Sequence, residues 1–189
     1  MSKQRAFLFA IAAAVVLIAA VGGYAVFLAD KPRELHSAAA AWTEVSWPFP
    51  LDQWGRGRAF QCKAADCCSV LNLFLRAKIG FCNCAIGVAD DDDLDRVGDV
   101  GLIDGESSAL GAGRPIGVHW MKGRSRSYAV GGRVPSAKST LSLAFNDRCD
   151  AIVALAVVEG DRASAQEPAV LEFLNGDLIL RWAESTLGL

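Results

Sequence analysis

The clearest pattern in the chain is the alternation in residues 70–81, VLNLFLRAKIGF. Leu71, Leu73, Leu75, Ala77, Ile79 and Phe81 occupy one register, and Asn72, Phe74, Arg76, Lys78 and Gly80 the other. A period of two with apolar odd positions predicts a strand with one buried and one wet face, of the kind found in an antiparallel sheet covered on one side. Residues 151–159, AIVALAVVE, are apolar without a break and predict a central strand buried on both faces. Weaker alternation in PIGVHWMKG and STLSLAFND adds further strands, and the Gly-rich stretches GESSALGAG, AVGGRVPSA and EGDRAS read as turns.

Two stretches have helical spacing. ADDDDLDRVGD predicts a short helix, because aspartate caps a helix start and carboxylates in a first turn suit the helix dipole. QEPAVLEFLNGDLILRWAESTLGL has Pro168 at a first helical position and a stripe of Val170, Leu171, Leu174, Leu178 and Trp182, with Gly176 weakening the middle or marking a break. By contrast WTEVSWPFPLDQWGRGRAF, with three tryptophans, two prolines and two glycines, predicts an irregular segment packed by its rings. Strands in runs, one inserted short helix and one C-terminal helix define an α+β fold with a mostly antiparallel sheet.

The N-terminus follows another pattern. Ala6–Ala29 is 24 residues without a charge, long enough as a helix (~36 Å) to cross a hydrocarbon core of about 30 Å. The competing reading is a cleaved export signal, whose apolar region is usually roughly 7–15 residues; Val21-Gly22-Gly23 is its best cleavage site. Length favours a transmembrane signal-anchor over 6–29, with a cytoplasmic tail at 1–5, a juxtamembrane stalk at 30–41 and an exported domain at 42–189. Lys3 and Arg5 before the span, against Lys31 and Arg33 diluted by Asp30 and Glu34 after it, give a slight bias toward a cytoplasmic N-terminus. The composition, rich in Ala, Arg and Gly, suggests a bacterial inner-membrane protein with a periplasmic domain. The lipid bilayer and an envelope protein are the expected partners.

Charge sharpens the picture. Residues 90–106 carry eight acids and one base, and residues 107–146 carry Arg114, Lys122, Arg124, Arg126, Arg133 and Lys138 with no acid. The exported part is net acidic, which excludes the dominant basic field of a nucleic-acid binder. The two stretches either pair with each other or leave an anion-binding face, for which KGRSRSY (Lys122, Arg124, Arg126) with Arg133 is the candidate. The same stretch also reads as a basic hairpin edge that blocks unwanted strand pairing.

Six cysteines complete the chemistry: Cys62, Cys67, Cys68, Cys82, Cys84 and Cys149. Neither cluster has the paired C-x2-C spacing of a zinc site, nor the C-x-x-C of a thioredoxin-like centre. In an oxidising compartment an even count predicts three disulfides. The strand between the clusters keeps their ends roughly 35–40 Å apart if fully extended, whereas a disulfide needs Cα atoms within about 7 Å. So either residues 60–68 fold back along the strand, or each cluster closes locally, or Cys149 bonds one of them. Cys67 and Cys68 point to opposite sides if that stretch is extended, and so are expected to have different partners. The alternative is a thiol–disulfide or soft-metal role for the Cys62/Cys67/Cys68 and Cys82/Cys84 clusters.

Other motifs fail on context. Residues 131–140 mimic a phosphate loop but carry Ala137 at its second glycine and run into a strand pattern. Asp90–Asp93 with Asp95 lacks the ligand spacing of a calcium loop, His36 and His119 are too few for a metal trio, and no nucleophile elbow is present. No catalytic residue, metal or cofactor is assigned. The expected role is non-catalytic binding, assembly or an accessory part in an envelope complex.

Overall fold

A computed structural model describes residues 42–67, 69–81, 83–103, 105–131, 138–159 and 163–189. The predicted span at 6–29, the tail, the stalk, His36, Cys68, Cys82 and Arg133 lie outside these residues. Among the described residues no helix is long and apolar enough to cross a membrane.

Among the described residues eight strands form one sheet in which every pairing is antiparallel. They are β1 (Trp42–Val45), β2 (Arg58–Cys62), β3 (Leu71–Lys78), β4 (Glu106–Ala109), β5 (Arg114–Val118), β6 (Met121–Gly131), β7 (Lys138–Asp147) and β8 (Asp150–Glu159). The spatial order is β1-β2-β3-β8-β7-β6-β4, with β5 beside β6 on the same outer edge as β4. The helices are α1 (Ala64–Cys67), α2 (Asp91–Val97), α3 (Glu167–Leu174) and α4 (Asp177–Leu187), joined by 3-10 turns at Val100–Leu102 and Ala163–Gln166. The α+β reading with a mostly antiparallel sheet therefore stands.

One sheet face carries Leu71, Leu73 and Leu75 of β3, Leu141, Leu143 and Phe145 of β7, and Ile152, Ala154, Ala156 and Val158 of β8. Onto it pack Val170, Phe173 and Leu174 of α3 and Ile179 and Ala183 of α4. Trp42 stacks on Phe173 at 4.7 Å between ring centres, and Phe60 meets the same ring edge-on at 4.9 Å. β8 is buried on both faces, as its unbroken apolar run predicts. The helix at 91–97 is also where the aspartates place it: Asp90 caps its start, its carboxylate accepting from the Asp93 N–H at 2.8 Å.

The wet face predicted for β3 is not wet. Arg76 and Lys78 are 4% and 5% exposed, because α2, the loop after it and the aromatic loop 46–57 cover the second face. Arg76 makes a two-pronged bond to Asp99 (2.6 and 2.7 Å) and a third bond to Asp52 (2.6 Å). Lys78 reaches Asp99 (2.8 Å) and the Val97 carbonyl (2.7 Å), with the rings of Trp54 and Phe81 at 5.7 and 5.5 Å from its ammonium. Asp99 inside and Asp52 at the solvent rim balance the two cations, so neither cation is buried unpaired. Trp47, Phe49 and Phe74 form a second aromatic cluster over the same face.

β3 ends at Lys78, which leaves Ile79 and Phe81 exposed beyond it. Of the two readings of Gly176 the break holds, and the C-terminal stretch is two helices parted at Asn175–Gly176; the stripe is corrected at Leu178, which turns outward while Ile179 and Ala183 enter the core. Asn175 holds the break by donating to Leu171 O (2.8 Å) and accepting from the His119 N–H (2.8 Å). Finally, the segment read as irregular contains β1, and the turn-like GESSALGAG contains β4.

Candidate functional site

β6 is flanked on its outer side by two short strands whose registers differ. Ala109 of β4 pairs with Tyr128, and Arg114 of β5 pairs with Ser125. Residues 110–113 therefore lie opposite only Arg126 and Ser127, a bulge with two surplus residues. Gly111 adopts φ +90° there, and a Cβ on Gly113 would collide with Asp91 and the Ser125 carbonyl. These demands explain a glycine at each position.

Alternation along β6 sends Arg124, Arg126 and Tyr128 to the α2 face and Ser125 and Ser127 to the other. Arg124 bonds Asp91 and donates to Gly113 O at 3.1 Å. Arg126 donates to Gly111 O (2.8 Å) and to Asp95 (3.0 Å), and the Tyr128 hydroxyl donates to Asp95. Asp91 also accepts from the Gly113 N–H at 2.9 Å. That backbone bond, then Arg124, holds the Asp91 carboxyl below the usual range. Burial, then the Asp95 carboxylate, pushes the Tyr128 phenol well above its usual value. The acidic and basic stretches thus pair with each other, and the pairs clamp the bulge to α2.

Of the four anion-binding candidates, Arg124 and Arg126 are engaged in this clamp, Lys122 is exposed on β6 opposite Asn146, and Arg133 lies outside the described residues. Among the described residues Cys62, Cys67, Cys84 and Cys149 form two disulfides. Cys62–Cys67 closes locally, Cα atoms 6.0 Å apart, and Cys84–Cys149 joins the loop after β3 to the β7–β8 turn, 4.1 Å apart. Two of the arrangements open to the sequence are both used: local closure of the first cluster, and Cys149 bonding the second. Among the described residues no three His, Cys, Asp or Glu side chains gather as a metal site.

On the helix-covered face the bulge opens a pocket of about 180 Å³. Its rim and walls include Leu110, Arg114, Ser127, Leu141, Ser164 and Glu167. Glu167, the first residue of α3, is 3% exposed. It accepts from Arg114 Nε at 2.8 Å on both oxygens, from Arg114 Nη2 at 2.7 Å, and from Ser125 Oγ at 2.9 Å. Nothing in the local sequence marks this group. An acid before Pro168 is an ordinary helix start, and only the fold brings α3 beneath β5 and β6.

No protein-family model matches the chain, and no curated protein sequence matches it.

Proposed function

We propose that residues 42–189 form a non-catalytic binding or assembly domain in an oxidising, extracytoplasmic compartment. The domain is tethered to a bacterial inner membrane by residues 6–29 and works as an accessory part of an envelope complex. The observation that carries this is the use of cysteine: Cys62–Cys67 and Cys84–Cys149 fasten chain segments at strand ends, and among the described residues no cysteine lines the pocket. Disulfides of this kind persist where thiols are not kept reduced. The clamp on Arg124 and Arg126 supports the same reading, since it leaves them as scaffold, and the pocket at the sheet edge is the natural contact point.

The test is a non-reduced peptide map of the native chain, paired with protease protection in spheroplasts. Cys62–Cys67 and Cys84–Cys149 linkages, and cleavage of the domain from the outer side, are expected. Six free thiols, or a domain protected on the cytoplasmic side, would overturn the reading.

A further inference from the structure

The pocket at the bulge is small and unusually balanced. Its volume, about 180 Å³, is roughly six times the ~30 Å³ a water molecule occupies in the liquid. That is less than the roughly 300–1,000 Å³ of an ordinary small-molecule site. The guest is therefore the size of a side chain or of a molecule with a few carbons.

The charges limit its chemistry. Glu167 is nearly saturated by Arg114 and Ser125. The side chain of Arg114 is 61% exposed, and its guanidinium has N–H groups left over after the two nitrogens that meet Glu167. The hydroxyls of Ser127 and Ser164 have no partner among the described residues. Arg126, which also lines the pocket, is committed to Asp95 and the Gly111 carbonyl, and the Arg114–Glu167 pair sums to zero. An anionic guest would set two carboxylates against one guanidinium, and a cationic guest would sit beside Arg114; either leaves a half-buried net charge. A neutral carboxamide offers one acceptor and one donor pair, which match the spare N–H of Arg114 and the two serine oxygens.

The geometry points to a subsite for a carboxamide group. Its oxygen accepts from Arg114, its N–H donates to Ser127 or Ser164, and its carbon stem lies on Leu110 and Leu141. The pocket wall at Leu110 directly follows β4, which is exposed at all four residues and whose outer edge is unpaired among the described residues. An asparagine or glutamine on an extended partner segment would add its backbone to that edge while its side chain fills the pocket. This deepens the binding reading above and rests on it.

The experiment is backbone amide NMR on the full chain in detergent. The probes are N-acetyl-glutamine methylamide, propionamide, propionate and propylammonium. Both amides are expected to shift Leu110, Ser127 and Ser164 at concentrations where the two ions do not. Ser164→Leu, which fills the pocket from an exposed position, is expected to abolish the shifts at unchanged melting temperature. A roughly tenfold advantage of the blocked glutamine, about the contribution of one hydrogen bond, assigns the group to a polypeptide; equal affinity assigns it to a free small amide. Ions binding as well as amides, or no effect of Ser164→Leu, would overturn the subsite. With the disulfide map intact, that failure removes only the amide assignment; free thiols would remove the underlying reading instead.

Discussion

Replacing Asp99 by asparagine tests whether the buried charges under α2 act as a unit. The side chain keeps its size but loses its charge, and three bonds change character: 2.6 and 2.7 Å to Arg76 and 2.8 Å to Lys78. Arg76 and Lys78, 5% and 6% exposed along their side chains, would then face only Asp52, whose carboxylate is 40% exposed. Removing one partner of a buried pair costs about 3–5 kcal/mol. Three charge-assisted bonds counted separately would give more, roughly 1.5–3 kcal/mol each, but the asparagine oxygen still accepts one of them. For a domain of this size each kcal/mol lowers the melting temperature by about 2–4 °C, so the expected fall is ~6–20 °C. Urea unfolding followed by tryptophan fluorescence measures it directly, and Trp54, 5.7 Å from the Lys78 ammonium, reports from the site. Asp52→Asn should cost distinctly less, being half in solvent. A loss for Asp99→Asn below about 1 kcal/mol would refute the argument, since it would show the network screened like a surface pair.

Two further predictions concern the scaffold. Cys84–Cys149 spans 65 residues and Cys62–Cys67 spans 5. Loop-closure entropy gives about 4 kcal/mol for the first and about 2 for the second, so Cys84→Ala/Cys149→Ala should lower the urea midpoint more than Cys62→Ala/Cys67→Ala; the reverse order would show that native packing outweighs the chain constraint. Asp52, Asp91 and Glu44 all have carboxyls held below their ordinary values, chiefly by bonds from Arg76, from the Gly113 N–H and from Arg58. A depressed acid adds stability above its unfolded pKa of about 4 and loses it as the pH falls through the lower folded value. The urea midpoint should therefore hold from neutral pH to about 5 and drop below about 4; a drop between pH 8 and 6 would contradict the assignment.

Local rules made much of this fold readable. The odd positions of β3, the unbroken run of β8 and the Asp90 cap each declare their structure within a few residues, because burial and capping there depend on near neighbours. What escaped depends on distant ones. Arg76 and Lys78 look solvated until Asp52 and Asp99 arrive from two separate loops. Gly111 and Gly113 look like a turn, and only the register of β6 against β4 and β5 makes them a bulge. Glu167 is an unremarked helix start until Ser125 and Arg114 close over it. The disulfides fall between these cases. Spacing left both local closure and a bond to Cys149 open, and the turn at Arg148–Cys149, with Arg148 at φ +51°, brings the second about.

The place of β8 between β3 and β7 has a consequence for assembly. The strands β5 to β8 are neighbours in the sheet in the order in which they occur in the chain and can pair as soon as each is made, but β3 has no second neighbour until β8 exists, with Leu71 opposite Val158. During synthesis the N-terminal meander β1–β2–β3 therefore carries an open edge beside its leucine face while most of the chain is still to come. Such long-range pairing is slow and exposes the chain to aggregation. Sheet closure by β8 is the step at which a folding helper has most to contribute, and truncations that remove β8 should fail by precipitation rather than by loss of a contact site.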